Sequence, residues 1–357
     1  MDRTQANTGT TEVADRLKFD VAALERWMAD HVTDFEGPLT VSQFRGGQSN
    51  PTYRLDDRTG RAFVLRRKPP GKLLPGAHAV DREARVMTAL GRQAFPVPHV
   101  HGYCDDEGVI GTPFFVMDLV EGRIVWEASF PGLGKDERAA HFDAMNATIA
   151  ALHGFDPAAI GLADYGKPSG FVERQVARWS KQYVSDVEAG RVPAMDAVVD
   201  WLQKHLPPDR EDARIVHGDF RCDNMIFAPA EPRVAAVLDW ELSTLGDPVA
   251  DFVYHLLMYR MPAGIFTGLK GLDLETLGIP SEADYVAAYC RRTNRVALPD
   301  VDYLVVFVMF RLAAILHGIK GRLARGNASS AHAAQMVGQL EPLAELALSE
   351  ARSARLG

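Results

Sequence analysis

The chain has 357 residues, 47% of them hydrophobic and 24% charged, and these ordinary values exclude collagen-like, coiled-coil and wholly disordered proteins. Its formal net charge of −8 argues against a dedicated nucleic-acid-binding protein, because such proteins usually carry a basic excess. The three cysteines are far apart and odd in number, which disfavours disulfides or a zinc site and fits a reducing cytoplasm. No apolar run reaches the roughly 20 residues of a membrane span. We therefore expect a soluble cytoplasmic protein with no nucleic-acid, membrane or obligate protein partner.

The first third of the chain combines helices with short extended segments. Residues 1–19 are polar and are expected to form a flexible tail. A helix is predicted over Val21–His31, because Asp20 can cap its N-terminus and apolar residues recur at helical spacing. Residues 41–44, 52–55, 62–68 and 113–119 are predicted to be extended, and residues 80–90 to be helical. These elements predict a small antiparallel β lobe over residues 20–118.

Long helical patterns dominate after a predicted hinge at residues 119–122. Helices are predicted at residues 136–152, 170–188, 195–206, 281–294, 302–320 and 330–352, with Ser281 and Ser330 as N-caps of two of them. A strand-rich interval at residues 214–238 interrupts the helices. The order of elements predicts an α+β protein with a larger helical lobe over residues 123–357 that contains this β hairpin.

The sequence of this hairpin contains the clearest candidates for catalytic residues. Asp219 follows an apolar strand, Asn224 comes five residues later, and the second strand of the hairpin ends in Asp239. Asp219 can accept a proton from an attacking hydroxyl, and Asn224 and Asp239 offer the hard oxygen ligands that Mg²⁺ prefers. These residues could instead cap backbone groups in a turn-rich hairpin, but their joint spacing favours catalysis. His217 is expected to brace this loop.

Two aspartates that follow the hairpin are interpreted as structural. Asp247 precedes Pro248 and is expected to cap the next helix. Asp251 is expected to brace the catalytic loop.

HGDFRCDN followed by LDWE resembles the catalytic loop and metal-binding segment of aminoglycoside phosphotransferases and choline-kinase-like small-molecule kinases, which are relatives of protein kinases. The segments GGQSNPTY and VLRRKPPGKLLPGAH are similar to the phosphotransferase-like domains linked to acyl-CoA dehydrogenases. The resemblance implies a bilobal protein-kinase-like fold with ATP between the lobes. It also implies catalysis by Asp219, Asn224 and Asp239, with Mg²⁺ held by Asn224 and Asp239.

The resemblance also implies an ATP site. Val64 would cover the adenine, Arg66 would reach the phosphates, and Glu83 would pair with Arg66. The family usually has Lys where Arg66 stands, and the sequence leaves open which of Arg66, Arg67 and Lys68 contacts phosphate. The ATP-binding residues implied are Gly46, Gly47, Gln48, Ser49, Asn50, Val64, Arg66, Glu83, Met117, Asp118, Leu119 and Val120.

The implied reaction is ATP- and Mg²⁺-dependent phosphorylation of a hydroxyl on a small molecule, with a hydroxyacyl compound as the suggested acceptor. Two alternatives stay open: an aminoglycoside kinase that confers antibiotic resistance, and a non-catalytic nucleotide-binding protein on a kinase fold.

Overall fold

A computed structural model describes residues 8–45, 50–71, 78–263, 265, 268–326 and 331–355. The chain divides into two compact units. The first contains residues 1–126, 158–163 and 221–243, and the second contains residues 127–157, 164–220 and 244–357. This division differs from the predicted one, because the hairpin groups with the N-terminal part rather than with the helical part.

The first unit is built on a six-stranded antiparallel sheet with strand order β1-β2-β3-β4-β6-β5. Its strands are β1 (Thr10–Thr11), β2 (Thr40–Phe44), β3 (Thr52–Asp56), β4 (Ala62–Arg67), β5 (Val100–Cys104) and β6 (Phe114–Asp118). Its helices are α1 (Val21–His31), α2 (Val80–Gly91) and α3 (Glu107–Ile110). The α1 helix has the predicted bounds, and Asp20 caps it by accepting from the N–H of Ala23. Strand β5 was not predicted.

The N-terminal segment is a correction to the predicted flexible tail. In the described part of it, β1 pairs with β2, and Leu17 is buried. The carbonyl of Leu17 accepts hydrogen bonds from the hydroxyl of Tyr53 at 3.1 Å and from Arg67 at 2.8 Å. The segment is ordered because it completes the sheet edge and receives these buried donors.

The two faces of β4 have different roles. Phe63 and Leu65 are fully buried in a core that also contains Leu24 and Met28 of α1. Because side chains alternate along a strand, Val64 and Arg66 point to the opposite face.

The hairpin joins the first unit through a three-stranded sheet with order β10-β9-β7, made of β7 (Arg123–Ile124), β9 (Met225–Phe227) and β10 (Val234–Val237). The N–H of Val237 donates to the carbonyl of Pro96 at 2.8 Å, and Trp240 packs edge-on against Phe95. A Cβ at Gly122 would lie 2.3 Å from the carbonyl oxygen of Phe227, so only glycine permits this close approach. These contacts explain why the hairpin belongs with the N-terminal part.

The second unit is mainly helical, with a two-stranded antiparallel sheet of β8 (Arg214–Val216) and β11 (Thr244–Gly246). Its helices are α4 (Lys135–Gly154), α5 (Phe171–Ser185), α6 (Pro193–Lys204), α7 (Pro248–Arg260), α8 (Leu274–Leu277), α9 (Glu282–Arg292), α10 (Val301–Ala324), α11 (Ala331–Val337) and α12 (Leu340–Ser353). Ser281 caps α9 as predicted, and Ser330 lies outside the described residues. The single helix predicted over residues 330–352 is divided into α11 and α12.

Helix α10 forms the centre of the second unit. It is long and apolar enough to cross a membrane by length and composition, with a mean hydropathy of 1.8, but 78% of that window is buried inside the protein. Its apolar stripe packs into the core. The hydropathy of α10 therefore reflects its packing against neighbouring helices.

Candidate active site

Asp251, near the start of α7, holds the backbone of the loop that follows β8. Its Oδ2 accepts from the N–H of His217 and its Oδ1 from the N–H of Gly218, both at 2.8 Å. Gly218 has a φ of 82°, a left-handed conformation that glycine adopts without steric cost. The N–H of Asp219 donates to Nδ1 of His217 at 3.1 Å. Asp251 and His217 thus brace the loop that carries Asp219, as the sequence indicated.

Asp251 is buried and remains an effective acceptor. Burial by itself raises its pKa, but the hydrogen bond from His153, electrostatic interactions with His153 and His217, and the hydrogen bond from the N–H of His217 outweigh this and hold the pKa below its usual range. Nε2 of His153 lies 3.2 Å from Oδ2, and its Nδ1 lies 2.7 Å from the hydroxyl of Tyr289. The loop is therefore anchored on an ionised carboxylate. Asp247 caps α7 as predicted.

Two side chains outside the predicted motifs contact the same loop. The hydroxyl of Tyr254 donates to Oδ1 of Asp219. Arg311 of α10 donates from Nη2 to the carbonyl of Gly218 at 2.6 Å, and its guanidinium lies 5.2 Å from the centre of the Tyr254 ring. Tyr254 could have been found, because it lies three residues after Asp251 and so shares its helix face. Arg311 carries no such signal, because its contact depends on how α10 packs.

His255, the next residue on α7, fixes the loop on its other side. Its Nδ1 lies 3.1 Å from the carbonyl of Phe220, so Nδ1 carries the proton and Nε2 accepts from the hydroxyl of Tyr285 at 2.7 Å. Burial lowers the pKa of His255 to about 4. The imidazole is therefore neutral near neutral pH, as this hydrogen-bond pattern requires.

The first unit brings Asn224 and Asp239 together. The N–H of Leu238 donates to the carbonyl of Asn224 at 2.8 Å, which ties the residue before Asp239 to Asn224. Asp239 has a φ of 63°, a left-handed conformation that is uncommon for residues other than glycine and recurs at functional sites. Its side chain is 35% exposed. The two side chains supply amide and carboxylate oxygens, and this donor set fits Mg²⁺.

Arg66 forms ion pairs with two carboxylates of the first unit. Its Nε lies 2.8 Å from Oε2 of Glu83, and its Nη2 donates to Oδ1 of Asp239 at 2.7 Å. Arg66 is 9% exposed and Glu83 only 1%. The predicted pairing of Arg66 with Glu83 is thus present, and Asp239 is a further partner that sequence reasoning missed.

Asn50 differs from its expected place among the phosphate donors. It is fully buried, and its Nδ2 donates to Oε1 of Glu83 at 2.9 Å. Nδ1 of His78 lies 2.9 Å from its Oδ1. Because its amide is engaged inside the protein, Asn50 supports Glu83 in this structure. The neighbouring Gly46, Gly47, Gln48 and Ser49 lie outside the described residues.

Burial raises the pKa of Glu83 to about 7, and the charge of Asp239 acts in the same direction, whereas Arg66 and the hydrogen bond from Asn50 oppose it. Burial disfavours the charged form of Arg66, but the charges of Glu83 and Asp239 outweigh this and raise its pKa. The guanidinium therefore stays charged and is shared between two competing carboxylates.

Arg67 has a structural role. It donates from Nε to the hydroxyl of Tyr53 at 3.1 Å, from Nη1 to the carbonyl of Ile110 at 3.2 Å, and from Nη2 to Leu17. It is 2% exposed. Because neighbouring side chains on a strand point to opposite faces, Arg67 lies away from Asp239. Of the two arginines, only Arg66 lies beside the predicted metal ligand.

Strand β6, which carries the predicted ATP-binding residues Met117 and Asp118, pairs with β4, and Val64 lies opposite Met117. Both side chains are nearly buried, and Leu119 and Val120 beyond the strand are half-buried. The N–H of Asp118 donates to the carbonyl of His99 at 2.9 Å. The N–H of Asp118 is therefore already paired inside the protein and would not donate to a nucleotide base.

The sequence profile of the phosphotransferase enzyme family matches residues 40–298. A curated relative, acyl-CoA dehydrogenase family member 11 of Gallus gallus, is 42% identical over 348 residues, which cover 95% of this chain and 44% of the relative. The chain therefore spans less than half the length of this relative.

Two solved structures are similar. A Ralstonia eutropha JMP134 protein, provisionally named an aminoglycoside phosphotransferase, matches with a TM-score of 0.86 and 47% identity over 95% of this chain and 100% of that chain. The GDP and kanamycin complex of APH(2″)-IIIa matches with a TM-score of 0.58 and 16% identity over 92% of this chain and 98% of that chain, a likeness in fold alone.

The antiparallel sheet of the first unit and the helices of the second are thus the two parts of a kinase-like α+β fold. The family match extends over parts of both units and includes Asp219, Asn224 and Asp239. This chain belongs to the phosphotransferase enzyme family.

Proposed function

We propose that this protein transfers the γ-phosphate of ATP, with Mg²⁺, to a hydroxyl of a small hydroxyacyl compound. The observation that carries the proposal is the arginine shared by two carboxylates in the first unit. Arg66 is ion-paired with Glu83 and with the predicted metal ligand Asp239. A nucleotide phosphate would be a further anionic partner for the guanidinium of Arg66. It would bind beside Asp239 and Asn224, which offer metal ligands.

The chemistry assigned to these residues is simple. The acceptor O–H bond breaks as its oxygen attacks the γ-phosphorus, and Asp219 takes the proton. The bond from the γ-phosphorus to the bridging oxygen breaks, so the products are the phosphorylated acceptor and ADP. Mg²⁺, when held by Asn224 and Asp239, supplies charge neutralisation at the phosphates. Arg66 orients phosphate oxygens, and Glu83 orients Arg66.

The charge beside Asp219 supports a neutral or anionic acceptor. Arg311 is half-buried on the carbonyl of Gly218 and forms no ion pair with any carboxylate in the part of the chain that the structure describes. A polycationic aminoglycoside would meet this guanidinium close to the proposed base. The relative named as an acyl-CoA dehydrogenase suggests an acyl compound that carries a hydroxyl.

Nucleotide binding is tested by calorimetry with ATP, with and without Mg²⁺. We expect Mg²⁺-dependent binding by the wild type and by the control Asp273→Asn, which alters an exposed helix cap. Asp239→Asn keeps an oxygen for Arg66 but loses a full carboxylate, so Mg²⁺-dependent affinity falls by about tenfold or more. Equal binding by Asp239→Asn and the wild type would contradict the metal assignment.

The acceptor is tested by ADP release with a panel of hydroxyacyl-CoAs, free hydroxy acids and aminoglycosides. We expect stimulation by a hydroxyacyl compound and its loss in Asp219→Asn. Stimulation by aminoglycosides alone would overturn the acceptor class. Mg²⁺-dependent ATP binding without ADP release for any of these compounds would instead favour a non-catalytic nucleotide-binding protein.

A further inference from the structure

Tyr254 of α7 contacts the carboxylate of Asp219 directly. Its hydroxyl donates to Oδ1, while its ring is 4% exposed and packs in the apolar core of the second unit. A ring fixed on this core cannot follow a moving side chain. The hydrogen bond therefore restricts rotation of the carboxylate of Asp219.

Arg311 couples this tyrosine to the loop backbone. Its guanidinium lies 5.2 Å from the centre of the Tyr254 ring, and the same group donates to the carbonyl of Gly218 at 2.6 Å. It also lies 5.9 Å from the centre of the Trp179 ring. A cation near an aromatic ring is attracted to its π electrons and polarises the phenol, which makes the hydroxyl a stronger donor.

We propose that Tyr254 is a positioning residue for phosphoryl transfer, which holds the carboxylate of Asp219 in the orientation that receives the acceptor proton, with Arg311 holding Tyr254. The inference rests on the proposed function, because it takes Asp219 as the base. It adds a role for a residue outside the predicted motif. If the hydroxyl of Tyr254 served only to pair a buried polar group, it would contribute to stability but would not affect the transfer of the proton.

The proton step depends on this hydrogen bond through geometry. The fixed orientation aligns the oxygen with the attacking hydroxyl, and small displacements of a reacting group can cost large factors in rate.

The test compares Tyr254→Phe with Tyr303→Phe. Tyr303 is a matched control, because its hydroxyl also makes one buried hydrogen bond in the second unit, to the carbonyl of Leu202 at 2.9 Å. With an acceptor found by ADP release, we expect Tyr254→Phe to lower kcat about tenfold to a hundredfold with KM for ATP unchanged. Tyr303→Phe should leave kcat and KM unchanged.

A second variant and a second measurement keep the test decisive. Arg311→Lys retains the charge but loses the planar fork, and we expect a smaller fall in kcat in the same direction. Crystal structures of the wild type and Tyr254→Phe should show a reoriented Asp219 carboxylate in the variant. An unmoved carboxylate with a kcat like that of Tyr303→Phe would overturn the proposal.

These outcomes are distinct from failure of the proposed function. If no acceptor supports ADP release in the wild type, the enzyme assignment fails, and the positioning role in catalysis fails with it. If the wild type is active and Tyr254→Phe matches its control, only the role of Tyr254 fails.

Discussion

Asp251→Asn replaces one of the two carboxylate oxygens that hold the loop of Asp219. In the native protein these oxygens accept from the N–H groups of His217 and Gly218, and all three residues are buried. Asn can keep one of the two acceptors, but its NH₂ group then faces the other N–H. Hydrogen bonds to a charged group contribute about 1.5–3 kcal/mol each, so we expect the free energy of unfolding to fall by about 2–4 kcal/mol.

Denaturant unfolding at neutral pH measures this change. The pKa of Asp251 is held below its usual range, so its stabilisation is fully present at neutral pH and is lost only as pH falls from about 4 toward its lower native pKa. Asp273→Asn is the control, because Asn is also a good helix cap and Asp273 is exposed. An unfolding free energy for Asp251→Asn within about 0.5 kcal/mol of the control would refute the reasoning.

Two further predictions concern buried groups near the same loop. Because the pKa of His255 is lowered to about 4, the unfolded chain binds this proton more readily than the native protein. Acidification from neutral pH to about pH 5 should therefore lower the free energy of unfolding by about 2 kcal/mol through this residue. Gln can supply a donor and an acceptor without titrating, so this loss of unfolding free energy should be smaller in His255→Gln. Equal losses in the two proteins, measured by denaturant unfolding at both pH values, would contradict this. Cys222 is buried and its thiol pKa is raised to about 12 by burial, so iodoacetamide at mildly alkaline pH should leave it unmodified in the native protein and modify it in guanidinium. Peptide mass spectrometry measures the modification of Cys222 directly. Equal modification rates in the native protein and in guanidinium would contradict the prediction, because they would show that the site opens in the native protein.

Local signals were sufficient for many elements of this protein. Helix α1 begins and ends where its cap and apolar spacing predict, and Asp247 and Ser281 cap their helices. Such features depend on residues a few positions apart, whose interactions are nearly independent of the rest of the fold. The bracing of the loop by His217 and Asp251 could be predicted for a related reason, because buried backbone N–H groups in an irregular loop require acceptors.

Contacts between distant segments could not be predicted in this way. The hairpin follows helical sequence, yet it packs with the N-terminal part because β7 and Pro96 provide its hydrogen-bond partners. Asn50 was expected at the phosphates, but its amide is buried on Glu83.

The sequence by itself determined the kinase-like family, the order of the elements and the spacing of Asp219, Asn224 and Asp239, because motif spacing and helix capping are properties of the chain. Only the tertiary structure decided that Arg66 rather than Arg67 lies beside Asp239, and that Tyr254 and Arg311 hold the loop of Asp219. The physical reason is that burial and ion pairing depend on which side chains converge from separate segments, and one sequence pattern is compatible with several such arrangements.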